Sequence, residues 1–403
     1  MVMTKFINVF SLLVRMSVKD LEKLTKDLPI EDVNLAEKAA MKILLESYKL
    51  EGNPTIKILT NNDYEEKNFS PLSLILSQGY ANAARMLGFN NEVLLTPSKK
   101  QTEPVSLEEL QFIQDTKEND LVLFVVNNKP GSYSKTLGEN KTASKILIEN
   151  KARYGQHFRL GEIGLENNDH IETYIKALSM DYAEAQSLGN KINDLLMETS
   201  QVKIISGDGS SLVYEGDFKE PLVYCGDFDG TKNNYGGNLP SGETFTELID
   251  LEGVNGEALI RAYGGEKGVT IHNNPERITI AKGKLTDSSD KELIKLLEKY
   301  MDGNEQEFMQ FFEEGYPIRE LGFGVNYEIG RQNIILPNVI WIEKMPGFHT
   351  SIGISHIHYH DKAIDGLAKE LNKKPKGHTD LMFDTKQIYF DGKKVFENGK
   401  YLI

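Results

Sequence analysis

Leu121-Val122-Leu123-Phe124-Val125-Val126 is a run of six apolar residues with no polar position for either face. A strand with one wet face alternates polar and apolar side chains, so an unbroken run predicts a strand covered on both sides, as in a parallel sheet between helices. The neighbouring sequence supplies the rest of such a layer. Ile56-Lys57-Ile58-Leu59 and Glu92-Val93-Leu94-Leu95 read as strands, while Val33 to Tyr48, Leu74 to Met86 (ending at Gly88) and Leu107 to Gln114 carry helical spacing. The alternation continues through Lys141 to Asn150 and Phe158-Arg159-Leu160, which predicts a doubly wound, Rossmann-like α/β layer.

A long helix from about Ile171 to Thr199 is expected to bridge to a second half of different texture. Val202-Lys203-Ile204-Ile205 and Ser211-Leu212-Val213-Tyr214 flank the turn residues Gly207-Asp208-Gly209, and helical pattern returns only between about Ser288 and Glu314. Near the end, Gln387-Ile388-Tyr389-Phe390, Asp391-Gly392 and Lys394-Val395-Phe396 predict a hairpin. The expected organisation is an α/β N-terminal domain over 1–195 and an α+β, β-rich metal-binding catalytic domain over 196–403.

Composition narrows the function. The 60 acidic and 46 basic residues leave a formal charge of −14, which argues against a nucleic-acid partner. Cys225 is the one cysteine, so no internal disulfide forms and no thiolate pair can hold a metal; a reducing cytoplasm is the expected setting. The apolar run Phe6 to Val14 has no small-residue cleavage site after it and reads as a packed or frayed lead-in rather than a secretion signal, and Met16 is an alternative start. No apolar run approaches the ~20 residues that cross a bilayer, so no membrane partner is expected.

Gly377-His378-Thr379-Asp380 sets an imidazole and a carboxylate two residues apart in a predicted strand, where both share a face and can grip one ion. Upstream stand His349 after Pro346-Gly347-Phe348, Glu343 after Trp341-Ile342, Glu320 before Leu321-Gly322-Phe323-Gly324, and Glu243 after Pro240-Ser241-Gly242. Imidazoles with carboxylates suit zinc, manganese, cobalt or iron. Each residue has a plainer reading: a buried pair of Glu343 with Lys344 or Arg331, a turn acid for Glu243, a structural His–carboxylate pair for His378 and Asp380. His356, His358 and His360 alternate along one predicted strand, as an exposed ladder or a second metal clip. His157, His170 and His272 read as surface or structural. No P-loop, dinucleotide fingerprint or Gly-x-Ser-x-Gly elbow is present.

Asn238-Leu239-Pro240-Ser241-Gly242-Glu243-Thr244-Phe245-Thr246, Glu320-Leu321-Gly322-Phe323-Gly324-Val325-Asn326, Glu343 with Gly347 and His349, and His378-Thr379-Asp380 resemble, in order and spacing, the metalloaminopeptidase family typified by aminopeptidases T and S. Gly207-Asp208-Gly209-Ser210-Ser211-Leu212 resembles that family's entry to the second domain, so coverage is close to full length. The resemblance implies a homodimer that removes N-terminal residues from peptide substrates with two divalent ions, zinc, cobalt, manganese or magnesium. It implies Glu243, Glu320, Glu343, His349, His378 and Asp380 as the ligands, with Glu320 bridging and catalytic. Two departures stand out: His356 occupies the place of a family tyrosine thought to steady the transition state, and Pro346-Gly347-Phe348 replaces a Gly-Thr pair. His356 is therefore the expected second catalytic residue. His349, His378 and Asp380 alone would suit a mononuclear iron ring-cleaving dioxygenase, and a catalytically silent binding homologue is the third alternative.

Overall fold

The computed structural model describes residues 14–61, 69–139, 141–165, 167, 169–231, 234–265, 268–302, 316–331, 335–353, 359 and 378–403. The chain divides into two compact units, Met1–Ser179 with Gly226–Leu239, and Met180–Cys225 with Pro240–Ile403.

In the first unit the strand Leu121–Val125 lies in the middle of a six-stranded sheet, every residue of it fully buried. Thr55–Asn61 and Asn90–Thr96 follow it on one side, Arg153–His157 and Gly236–Asn238 on the other, all five strands parallel. Val14–Met16, part of the apolar lead-in, closes one edge antiparallel to Asn90–Thr96. Leu59, Leu94, Val122, Phe124 and Val126 pack with Phe112, Ile113, Ile146 and Leu147 in one cluster, while Ile56, Ile58, Val93, Leu121 and Leu123 are buried as well. Both faces of these strands are therefore covered, which is why no polar alternation was needed. The Leu107–Gln114 helix starts at a capping box of Ser106 and Glu109.

The bridging helix is broken. Asp169–Ala177 ends in tight turns through Leu178 and Ser179, and Asp181 restarts a helix over Tyr182–Glu198 by accepting from the Glu184 N–H. The units divide at this break, at Ser179 rather than near residue 195, because the second helix packs on the strands Leu222–Tyr224 and Glu243–Glu247. Residues 226–239 return to the first unit, where the short glycine-rich strand Gly236–Asn238 pairs with Arg153–His157.

Among the described residues, the second unit is built on an antiparallel sheet of 14 strands. The expected C-terminal hairpin pairs Thr385–Phe390 with Lys393–Glu397, and Asp391 and Gly392 both take positive φ at its turn (45° and 79°). At one end of the sheet, Glu243–Glu247, Glu320–Gly324, Gly347–Gly353 and His378–Phe383 run side by side. Register gives these strands two distinct faces. Phe245 lies opposite Gly322, Gly322 opposite His349, and Ser351 opposite Asp380, so Glu243, Glu247, Glu320, His349 and Asp380 fall on one face. The other face carries Phe323, Phe348 and Phe383, with Phe348 meeting Phe383 at 4.8 Å, Tyr214 at 5.7 Å and Phe323 at 6.0 Å between ring centroids.

That aromatic layer fixes the strands whose opposite face carries the carboxylates. Phe348→Ala should cost about 3–5 kcal/mol of folding stability, measured as a shifted urea midpoint at unchanged slope; a loss below about 1 kcal/mol would show that the layer does not brace the sheet.

Candidate metal centre

Glu243, Glu320 and His349 come together. One potential ligand atom of each lies within 4.8 Å of the other two, and all three residues are buried. The His349 Nε2 atom is 3.0 Å from Glu320 Oε1 and 3.6 Å from Glu243 Oε2. The imidazole reaches this position because residue 322 is glycine: a Cβ there would sit 2.1 Å from Nε2. Glu320 is held through its backbone, its N–H donating to Ser351 Oγ at 3.2 Å and its carbonyl accepting from the Thr350 hydroxyl.

Glu243 enters from a turn that has little freedom. Gly242 takes φ +121° with Asn326 against it, where a Cβ would come within 2.8 Å of the asparagine Cβ. Asn326 donates its side-chain amide to the Ser241 carbonyl at 2.9 Å and its backbone N–H to the Lys344 carbonyl at 3.0 Å. One residue thus ties the Glu243 turn to the end of the Val339–Lys344 helix. Asn326 stands in one of the sequence blocks above, but nothing in its pattern disclosed that tie.

Glu343 sits at that helix end, outside the three-residue set. Its Oε2 accepts from Lys344 Nζ at 2.7 Å, and the same ammonium lies 2.5 Å from Glu243 Oε1. The plainer reading of Glu343 as a lysine partner is therefore realised, and Glu343 is not among the three residues that come together. Asp380 is buried on the same sheet face. His378 begins its strand and pairs in register with Gly353; its side chain lies outside the described residues, as do His356, His358 and His360 entirely. His157 is structural, buried between the hydroxyls of Tyr80 and Tyr174 at 2.9 and 3.0 Å, and His272 pairs with Asp290.

Sequence reading also passed over Glu247, fully buried and bonded to Lys219 Nζ at 2.7 Å. Its even spacing from Glu243 was the available signal, since strand alternation returns it to the same face, directly opposite Glu320.

The electrostatics are those of too many acids in one place. Burial is the largest force raising the Glu343 carboxyl; Lys344 opposes it, Asp380 and Glu243 reinforce it, and the group is pushed up to about 8. Burial alone would make Lys344 lose its proton more easily, but Glu243 and Glu343 outweigh that and raise it. Burial likewise pulls His349 down, and the Glu320 hydrogen bond and charge, with Glu243 and Glu343, more than reverse it.

These residues fit a divalent cation. The donors are hard oxygens and an imidazole, gathered on one strand face with room left by a glycine, and the other ring nitrogen of His349, Nδ1, is buried without a partner among the described residues.

No protein-family profile and no curated protein matches the chain. Among solved structures it is similar to 2,5-dihydroxypyridine dioxygenase from Pseudomonas putida KT2440, with a TM-score of 0.60 at 14% identity over 93% of this chain and 98% of that one. It is also similar to aminopeptidase T (AmpT) from Thermus thermophilus, with a TM-score of 0.55 at 13% identity over 92% of this chain and 99% of that one. At such identities the likeness establishes a shared fold, and that fold carries both a peptidase and an oxygenase.

A raised carboxyl binds more protons folded than unfolded between its ordinary value of 4.5 and about 8, so ion-free protein loses stability as pH rises through that window. His349 acts in the same direction: its raised folded value gives stability that is present below the ordinary imidazole value of 6.5 and lost above it. Glu343→Gln removes the carboxyl's part of this dependence. In chelator-treated protein, Tm should fall from about pH 5 to pH 8, less steeply in Glu343→Gln, and a saturating divalent cation should flatten the wild-type profile. A variant slope equal to the wild-type slope would contradict this assignment.

Proposed function

We propose that the chain is a metal-dependent aminopeptidase, cytoplasmic and homodimeric, with a Rossmann-like N-terminal layer and a β-rich metal-binding domain that acts on peptide substrates. The observation that carries the reading is the convergence of Glu243 and Glu320 on His349 Nε2 in a buried site. Glu243, Glu320 and His349 would hold a divalent cation, zinc, cobalt, manganese or magnesium, with His378 and Asp380 next on the neighbouring strand. When bound, such an ion supplies Lewis-acid polarisation of a carbonyl and acidifies a water at neutral pH.

The protein's own residues supply the rest. Glu320 and Glu243 would give the negative charge that holds the cation at this place. Glu343 lies outside the three-donor set with a carboxyl raised toward neutrality, which suits it to take a proton and return it to a leaving amine. Lys344 keeps that carboxyl in position. His356 remains a proposed further donor.

A second reading, a mononuclear iron dioxygenase acting on an aromatic ring, is favoured by the placement of Asp380 opposite Ser351 on the face that also carries His349. The two readings differ in co-substrate. Under the peptidase reading, free peptides lose one N-terminal residue at a time under anaerobic conditions, and acetylated peptides survive, as read by mass spectrometry. Equal cleavage of both, or turnover only with iron(II) and dioxygen consumed, would overturn it.

A second expectation concerns the proton. Glu343→Gln should lower kcat by about 10²–10⁴-fold while cation affinity stays within a few-fold of wild type. Unchanged turnover would remove Glu343 from the chemistry.

A further inference from the structure

We propose that Lys344 is the site's built-in second cation, so that the chain holds one divalent ion rather than a pair. The inference rests on the reading of Glu243, Glu320 and His349 as a cation site and goes beyond it by setting the stoichiometry.

Glu243 uses its two oxygens differently. Oε2 turns toward His349 Nε2 at 3.6 Å, whereas Oε1 lies 2.5 Å from Lys344 Nζ. It therefore bridges the three-donor site and an ammonium, as a carboxylate in a paired centre bridges two metals. Glu343, the other carboxylate beside the site, spends Oε2 on the same ammonium at 2.7 Å. The positive charge that two neighbouring carboxylates require is already present, covalently attached.

The lysine cannot easily leave. Its side chain is 2% exposed, and its backbone is pinned from two sides. Its carbonyl accepts the Asn326 N–H, and Gly324 admits the helix end so closely that a Cβ at 324 would lie 2.7 Å from the Lys344 carbonyl carbon and 2.0 Å from the Met345 oxygen. A second ion would have to displace this ammonium and leave it buried and unpaired, or share its carboxylates against like-charge repulsion; both are costly in a water-poor interior. Among the described residues, the three donors on the His349 side show no lysine contact beyond the Glu243 bridge.

The test counts ions and does not depend on turnover. Full-length protein stripped with chelator is saturated with manganese(II), desalted, and measured by elemental analysis against protein concentration. The expected values are one ion per chain for wild type, one for Glu343→Gln because that residue serves the lysine, and two for Lys344→Met because the freed carboxylates then need another cation. Wild-type protein with two ions overturns the proposal and leaves the cation reading intact; wild-type protein with none overturns both. Loss of the ion in Glu343→Gln, or a folded Lys344→Met that stays at one, also overturns it. If Lys344→Met does not fold, wild type and Glu343→Gln decide.

Discussion

The constraint on which the second unit turns is the burial of several carboxylates within reach of one another. Carboxylates desolvated together repel, and each would cost several kcal/mol if left unpaired. The sheet nonetheless gathers Glu243, Glu320 and Asp380 on one face, with Glu343 at the adjoining helix end. Lys344 and His349 meet part of that charge. Burial, reinforced by the charge that remains, raises Glu343, and the same charge suits the site to a divalent cation.

The fold serves this cluster by separating two chemistries across one sheet. Strand alternation sends Phe323, Phe348 and Phe383 to a face where aromatic packing holds the strands, and Glu320, His349 and Asp380 to the other. Glycines set the approach distances. Gly322 makes room for the imidazole, Gly324 for the helix end that carries Lys344, and Gly242 for the turn before Glu243. The shared fold of an aminopeptidase and a dioxygenase shows that such a scaffold supports more than one reaction, so the choice rests on which side chains fill it.

Local signals in the sequence carried far where one physical rule dominated. The unbroken apolar run at Leu121 marked a strand buried on both faces, Asp391-Gly392 marked a tight hairpin turn, and the spacing over Leu107 to Gln114 marked a helix. The grouping of Glu243, Glu320 and His349 could be anticipated from ordered blocks, although their mutual distance is a product of register. What escaped depends on tertiary placement. The break before Asp181 lies in a continuous helical pattern, and Gly236–Asn238 has no apolar side chain in its pairing stretch to announce a strand. Lys344 was legible as a partner for Glu343, but its second contact, with Glu243, exists only because the helix end carries it between the two glutamates. Glu247 stands directly after the quoted block that ends at Thr246, and its spacing from Glu243 was legible.

The central claim is that Glu243, Glu320 and His349 hold a divalent cation. Anomalous diffraction at the manganese edge, from crystals grown with manganese(II), tests it most directly. The account predicts an anomalous peak touching Glu243 Oε2, Glu320 Oε1 and His349 Nε2, at about 2.0–2.2 Å from the imidazole nitrogen, with Lys344 still seated between Glu243 and Glu343. An empty site, or a peak that replaces the Lys344 ammonium and leaves His349 uncoordinated, would contradict it.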